Sequence, residues 1–181
     1  MSTLRLFFAL WPTAHERRAL QAALGETWEA LGAARRVPAE SWHVTTAFLG
    51  SVEEAALTAL ESVARRVTAE CAHCNPIEVR LDQLDHWRKP QLLCAVPAEG
   101  SPTATILADA LRRELVTAGF APDLKPFRAH VTLARKVTRA PPVPTLAAVR
   151  WLFPALTLVS SRTSPHGSLY SVISSWQLDD R

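Results

Sequence analysis

The sequence predicts an α+β fold, and two observations carry that prediction. Apolar segments of strand length recur along the chain, and three segments with apolar residues at helical spacing lie between them. A mixture of several strands with three helices indicates the α+β class. With 181 residues, 48% hydrophobic and 20% charged, the chain can bury a core as one domain spanning residues 1–181, without disulfides or a structural metal.

The first predicted elements are a strand and a helix. Residues 4–10 are apolar apart from one arginine, which is typical of a buried strand. Pro12 and Thr13 then begin a helix, because Thr13 and Glu16 have the spacing of a capping box. Gly32 is the expected stop of this helix.

A second strand and helix follow. Residues 42–49 read as a strand that ends at Gly50. Ser51 and Glu54 have the spacing of a second capping box, which would begin an amphipathic helix. The apolar face of that helix is formed by Ala56, Leu57, Leu60, Val63, Ala64 and Val67.

The second half of the chain repeats this alternation. The pattern in residues 77–84 predicts an edge or half-exposed strand, and residues 91–96 predict its neighbour. Ser101 and Pro102 would begin the third helix, with Gly119 just past its end. Three further strands are expected at residues 127–135, 149–159 and 169–178.

Charge and cysteine content set limits on the class of protein. A net charge of +3 is compatible with an anionic ligand and too small to indicate nucleic acid by itself. Three cysteines do not suit a disulfide framework, and the zinc-like Cys71-Ala72-His73-Cys74 segment lacks a second ligand cluster, so no metal or cofactor is expected. Without a membrane-length apolar run or a signal peptide, we expect a cytoplasmic protein.

A repeated five-residue motif is the strongest functional signal. The segment His43-Val-Thr45-Thr-Ala recurs 87 residues later as His130-Val-Thr132-Leu-Ala, with four of five positions identical. Both copies lie in predicted strands, one in each half of the chain, which suggests a duplicated unit with pseudo-twofold symmetry. Histidine and threonine two residues apart point to the same face of a strand. Two such strands can therefore present two His–Thr pairs across a cleft.

That arrangement predicts chemistry at a phosphate. Breaking a phosphodiester requires removal of a proton from the nucleophile and donation of a proton to the leaving oxygen. Histidine suits both tasks because its unperturbed pKa is about 6.5. The hydroxyls of Thr45 and Thr132 can donate hydrogen bonds to the phosphate oxygens, and an arginine can hold the phosphate in a planar fork.

At these residues the sequence resembles the 2H phosphoesterase superfamily, whose signature is two H-x-T-x motifs. The resemblance is strongest to the RNA 2′,3′-cyclic phosphodiesterases, also called the bacterial and archaeal 2′-5′ RNA ligase family. It covers nearly the whole chain: RLFFALWP resembles the opening strand, and VPAESWHVTTAFLG and FRAHVTLAR resemble the two motif segments. The resemblance implies a bilobal fold in which two antiparallel sheets face a central cleft, with the helices outside.

The resemblance also implies roles for individual residues. His43 would be the proton donor and His130 the proton acceptor in opening an RNA 2′,3′-cyclic phosphate to a 2′-phosphate, without metal or cofactor. Thr45 and Thr132 would bind the phosphate. Arg135 matches an arginine that the family places near the substrate.

The residues leave several alternatives open. Arg135 has the wrong parity to share a face with His130 unless the strand ends or bulges first, and Arg128, which has the right parity, is the alternative clamp. Phe48 shares a face with Val44 in a regular strand, which favours core packing. The further aromatic candidates for stacking on a base are Phe7, Trp11 and, the best placed, Trp87.

Rival functions use the same motif. ATP-independent 2′-5′ RNA ligation passes through the same cyclic phosphate, and a small cyclic nucleotide or ADP-ribose cyclic phosphate could replace RNA as the substrate. A non-catalytic RNA-binding module is the rival of another class, and it does not call for two opposed histidines. A monomer is the expected oligomeric state.

Overall fold

The computed structural model describes residues 2–29, 31, 34–123, 125–140, 145–164 and 167–178. In chain order the strands are β1 (Thr3–Leu10), β2 (Arg35–Arg36), β3 (Val44–Glu53), β4 (Ile77–Trp87), β5 (Leu92–Val96), β6 (Val131–Arg135), β7 (Thr145–Phe153), β8 (Ala155–Ser164) and β9 (Gly167–Gln177). The helices are α1 (Ala14–Glu29), α2 (Leu57–Glu70) and α3 (Pro102–Thr117). None of the helices in the described part is long and apolar enough to cross a membrane.

The strands form two sheets, and every pairing within them is antiparallel. The first sheet has the order β3-β1-β8-β9, and the second has the order β2-β6-β5-β4-β7. One face of each sheet packs into a large apolar core shared with the helices. The opposite faces line a cleft between the sheets, so the predicted bilobal α+β fold is confirmed.

Local sequence signals explain where helix α1 begins. The backbone N–H of Thr13 donates to Glu16 Oε2 at 2.7 Å, and the Glu16 N–H donates to Thr13 Oγ1 at 3.3 Å. This reciprocal pair is the predicted capping box. The expected stop at Gly32 lies outside the described residues, and the helix ends at Glu29.

Two predicted boundaries are wrong. Ser51 does not cap a helix, because β3 runs through it to Glu53 and a short 3₁₀ turn then leads into α2. Of the two alternatives for residues 77–84, the edge strand is wrong because β4 lies between β5 and β7, and the half-exposed strand is confirmed by the alternating burial of its side chains. The single strand expected at residues 149–159 is two strands separated at Pro154, and these belong to different sheets.

Pro154 therefore marks where the chain crosses between the sheets. Strand β7 closes the second sheet, and β8 begins at Ala155 in the first. A proline cannot donate to a strand ladder, which favours a break at this position.

All three cysteines are buried free thiols. Cys71 and Cys74 follow the end of α2, where burial raises the pKa of Cys71 to about 11. Both residues thus lie at a helix end as free thiols.

Candidate active site

The two motif histidines occupy equivalent positions in the two sheets. His43 lies immediately before the first residue of β3, and His130 lies immediately before the first residue of β6. The prediction placed both histidines inside strands, and they instead precede them. The threonines of both motifs are the second residues of these strands.

Backbone hydrogen bonds orient both imidazoles in the same way. Nδ1 of His43 lies 2.7 Å from the carbonyl oxygen of Ser41, and Nδ1 of His130 lies 2.7 Å from that of Arg128. A carbonyl can only accept, so each Nδ1 carries a hydrogen and donates it. In the neutral ring, Nε2 is then left with its lone pair. The Nε2 atoms are therefore the sites at which protons can be exchanged with a ligand.

One cleft contains both histidines and both motif threonines. Its volume is about 790 Å³, and residues from both sheets line it. In His43 the Nε2 atom lies 3.1 Å from Oγ1 of Thr45, so the hydroxyl donates to the ring. The structure thus brings together the two His–Thr pairs that the motif predicts, one on each side of the cleft.

A β-bulge brings Arg135 into the cleft. Leu93 pairs with Ala134 and Cys94 pairs with Thr132, so Leu133 is an extra residue in β6. The extra residue reverses the alternation of side chains beyond it. Arg135 consequently lines the cleft together with Thr132. In a regular strand these two residues, three positions apart, would lie on opposite faces.

The first motif has an equivalent bulge. Phe8 pairs with Ala47 and Ala9 pairs with Thr45, which leaves Thr46 as an extra residue in β3. Thr46 is buried and is not among the residues that line the cleft, and its hydroxyl has no partner among the described residues. Phe48 is 36% exposed and lines the cleft, so the expectation that it packs in the core is wrong.

Arg128 has a different position from Arg135. Its Nη2 lies 2.5 Å from Oδ2 of Asp85, and its guanidinium lies 5.3 Å from the centre of the Trp87 ring. Trp87 Nε1 donates to the same Asp85 oxygen at 2.9 Å. Arg128 is not among the described residues that line the cleft. Of the two candidate clamps, only Arg135 shares the cleft with the histidines.

Aromatic side chains enclose His43. The Trp11 ring stacks on the imidazole at 5.3 Å and 15°, and the rings of Phe7 and Tyr170 lie at 4.9 and 5.1 Å. Arg17 lies over the Trp11 ring, 5.4 Å from its centre. The imidazole of His43 is thus held by stacking on its faces and by the hydrogen bond of Nδ1 at its edge.

His130 has a smaller aromatic contact. Its ring lies 4.6 Å from that of Trp87, at 50°, and Trp87 is itself held by Asp85. Trp11 and Trp87, which were candidates for stacking on a nucleobase, both pack instead against a motif histidine.

Burial lowers the pKa of both histidines. For His43 the pKa falls to about 4, because the charged imidazolium is poorly solvated in its buried position. The hydrogen bond to Ser41 opposes this effect. The positive charges of His130, Arg17 and Arg135 lower the pKa further. Burial also lowers the pKa of His130; the hydrogen bond to the Arg128 carbonyl opposes the effect, and the positive charge of Arg128 adds to it. Both rings are therefore held in the neutral form, in which Nε2 can accept a proton.

Comparison with known protein families identifies the chain. The family described as the 2′-5′ RNA ligase superfamily matches residues 10–163, which include both motifs. The chain belongs to the 2′-5′ RNA ligase superfamily.

Individual members of the superfamily agree with this assignment. The chain is 30% identical to the RNA 2′,3′-cyclic phosphodiesterase of Thermus thermophilus over 97% of its own length and 90% of that protein. It is 29% identical to the enzyme of the same name from Bacillus subtilis, in a match that covers 54% of this chain and 52% of that protein. The match therefore spans about half the length of the Bacillus protein.

A solved structure of the superfamily has the same fold. Escherichia coli LigT, crystallised in complex with 3′-AMP, is 25% identical and superimposes with a TM-score of 0.83. The superposition covers 97% of this chain and 98% of LigT. The two-sheet architecture is thus that of the superfamily.

Two residues that contact the site, Tyr170 and Asp85, were not predicted from the sequence. Tyr170 lies 127 positions from His43, and only the pairing of β9 with β8 brings it to the cleft. Asp85 precedes Trp87 by two residues on β4, so alternation could have placed both on one face, but nothing in the pattern indicates their contact with Arg128.

The other described histidines, His15, His73 and His86, are not among the residues that line the cleft. His15 and His73 are exposed. Nε2 of His86 lies 2.7 Å from the carbonyl oxygen of Val137. His166 lies outside the described residues.

Proposed function

We propose that this protein hydrolyses RNA 2′,3′-cyclic phosphate ends to 2′-phosphate ends by acid–base catalysis with His43 and His130. The observation that supports this most is the pair of histidines in one cleft, each with Nδ1 bonded to a backbone carbonyl. The names of the Thermus and Bacillus relatives support the substrate class.

In the proposed reaction, one histidine acts on water and the other on the leaving group. His130 Nε2 accepts a proton from water as the water oxygen attacks phosphorus. The bond from phosphorus to the ribose 3′ oxygen breaks, and protonated His43 donates its Nε2 proton to that oxygen. The product carries a 2′-phosphate. Because the two imidazoles supply both proton transfers, the scheme requires no metal.

The lowered pKa of His43 bears on its role as the proton donor. A bound phosphate places negative charge beside both rings, which favours their protonated forms. We therefore expect substrate binding to raise the pKa of His43 from about 4 toward neutrality. At His130, burial and the positive charge of Arg128 oppose this effect of the phosphate, and we assign His130 as the acceptor.

The other cleft residues are proposed to bind the phosphate. The hydroxyls of Thr45 and Thr132 would donate to the non-bridging oxygens, where negative charge increases in the transition state. Arg135 would hold the phosphate as a planar fork. Arg128 is assigned no direct contact, because it is paired with Asp85.

The test uses a short RNA that ends in a 2′,3′-cyclic phosphate, incubated with the protein in EDTA. The expected product is the 2′-phosphate, identified by phosphorus NMR. His43→Ala and His130→Ala should each lower kcat by a factor of about 10² to 10⁴. His15→Ala, at an exposed histidine on α1, is the matched control and should retain full activity.

The same assay separates the rival functions. A second RNA with a 5′-hydroxyl end is included, and accumulation of a 2′-5′ linked product would indicate ligation in place of hydrolysis. Activity that disappears with EDTA, or that survives in both histidine variants, would contradict the proposal.

We also propose that the protein acts as a cytoplasmic monomer with both lobes in a single domain. Each component of the proposed site comes from one chain, so the reaction does not need a second copy. Light scattering of the purified protein tests the monomer, and a concentration-dependent kcat would contradict it.

A further inference from the structure

The cleft carries more positive charge than one phosphate requires. The two histidines and four arginines line it, and the arginines are Arg5, Arg35, Arg36 and Arg135. No carboxylate is found among the described residues that line the cleft. Arg36 has an acidic neighbour outside the cleft, since its Nη2 lies 3.8 Å from Glu29. Within the described chain, the other three arginines have no acidic partner within salt-bridge distance.

Two of these arginines are neighbours across a strand pair. Arg35 on β2 pairs directly with Arg135 on β6, so both side chains point to the same face. Like charges directly opposite each other destabilise a sheet. A pair of this kind is favourable when anions occupy the space in front of it. Since Arg135 is already assigned to the reacting phosphate, Arg35 is left for a second anion.

Arg35 reaches across the cleft to the other sheet. Its Nη2 lies 3.0 Å from the position that a Cβ on Gly167 would take. Gly167 begins β9 and pairs with Ser164 at the end of β8. The guanidinium of Arg35 thus lies beside the β8–β9 hairpin, where a larger side chain at Gly167 would displace it.

Arg5 lies toward the same end of the cleft. Along β1 and β8 the pairs are Ala9 with Thr157, Phe7 with Val159, and Arg5 with Ser161. Phe7 packs on His43, so Arg5 is two residues farther from the histidine, in the direction of the β8–β9 hairpin.

An aromatic ring and several hydroxyl side chains line this end of the cleft with the two arginines. The guanidinium of Arg5 lies 4.9 Å from the centre of the Phe48 ring, which is exposed in the cleft. The hydroxyl side chains at this end are those of Ser161, Thr163, Ser164 and Ser168. Guanidinium and hydroxyl groups are the donors that bind phosphate oxygens.

We propose that Arg5 and Arg35 form a second phosphate subsite, which binds the internucleotide phosphate on the 5′ side of the terminal nucleotide. This proposal rests on the proposed function, which sets the cyclic phosphate at the histidines. The terminal nucleoside then spans the cleft between the two phosphates, and the preferred substrate is an oligonucleotide end, not a cyclic mononucleotide.

The test varies one charge on the substrate and one on the protein. Two dinucleotides ending in a 2′,3′-cyclic phosphate are compared, one with a natural phosphodiester linkage and one with a neutral methylphosphonate linkage. The wild type should prefer the charged linkage in kcat/KM by about tenfold or more, as expected for loss of a charge-assisted hydrogen bond. In Arg35→Gln and Arg5→Gln that preference should fall toward unity.

A matched control and the salt dependence complete the test. Arg65→Gln, at an exposed arginine on α2 outside the cleft, should keep the wild-type preference. For the phosphodiester substrate, the slope of log kcat/KM against log salt concentration should become shallower by about 0.7 in each cleft variant. Arg5 and Arg35 are exposed, so both variants should fold.

The outcomes separate this proposal from the proposed function. If the wild type opens both dinucleotides equally well, or if both cleft variants keep the preference, the second subsite is wrong while the hydrolase activity stands. If no substrate is opened, the proposed function fails, and calorimetry with the two dinucleoside 2′-phosphates decides the subsite. Tighter binding of the charged linkage by the wild type alone would support it, and equal binding would overturn it.

Discussion

Replacing Trp11 with alanine is expected to raise the pKa of His43. The pKa lies at about 4, against 6.5 for a solvated imidazole, and burial is the largest cause. A difference of roughly 2.5 units corresponds to about 3 kcal/mol of lost stability of the charged form. Three rings enclose the imidazole, and Trp11 is the one that stacks on its face. If the rings contribute equally, removing Trp11 restores about one unit.

The pKa can be measured directly by NMR titration. Protein with labelled histidine is titrated between about pH 3 and pH 8 to bracket both values, and the resonance of His43 is identified by its loss in His43→Gln. Trp28→Ala is the matched control, because Trp28 packs edge-on against Trp42 and has no ring contact with His43 among the described residues. An unchanged pKa in Trp11→Ala, or an equal rise in the control, would refute the view that the aromatic enclosure sets this pKa.

The lowered pKa also affects stability. A histidine whose folded pKa is depressed stabilises the protein above its unfolded pKa of 6.5, and that contribution is lost as the pH falls toward the folded pKa. In urea unfolding of the wild type, the free energy of unfolding should therefore decrease by up to about 3 kcal/mol between pH 7 and pH 4 because of this histidine. That part of the decrease should be absent in His43→Gln. Parallel curves for the two proteins would contradict the lowered pKa.

Four further substitutions test the rest of the site. Thr45→Val and Thr132→Val should each lower kcat about a hundredfold with a smaller change in KM, as for loss of a transition-state hydrogen-bond donor in steady-state kinetics; a pure KM effect would argue against this role. Asp85→Asn leaves Arg128 without its ion pair, so the pKa of His130 should fall further. NMR titration of His130 should then have a lower midpoint pH, and a higher midpoint would contradict this prediction. Arg135→Lys loses the planar fork and should weaken inhibition by inorganic phosphate about tenfold, and unchanged inhibition would remove Arg135 from the phosphate site.

The sequence predicted the elements of this site better than their exact orientation. The motif predicted that His43 and His130 share one cleft, because a duplicated strand segment repeats the same local geometry in both sheets. The capping box of α1 was visible for a similar reason, since its two residues lie three positions apart. Signals of this short range depend little on the rest of the fold.

The errors come from strand irregularities. Alternation predicts which face a side chain occupies only while a strand is regular, and the extra residues Thr46 and Leu133 shift the alternation in β3 and β6. Both Phe48 and Arg135 therefore reach the cleft, five residues after the motif histidines. No residue type in the motif marks a bulge of this kind, so only the register of the neighbouring strands reveals it.

Long-range contacts could not be predicted either. Tyr170 reaches His43 through the pairing of β9 with β8 and of β8 with β1. The ion pair of Arg128 with Asp85 joins residues 43 positions apart on separate segments. These contacts depend on sheet order, which the sequence alone does not fix.

The pH dependence of kcat/KM tests the central claim most directly, with RNA 2′,3′-cyclic phosphate as the substrate and EDTA present. If one histidine is the base and the other the acid, the wild-type profile is a bell with one limb from each. The residual activity of His130→Ala should lose the acidic limb, and that of His43→Ala should lose the alkaline limb. A profile that keeps both limbs in either variant would contradict acid–base catalysis by this pair.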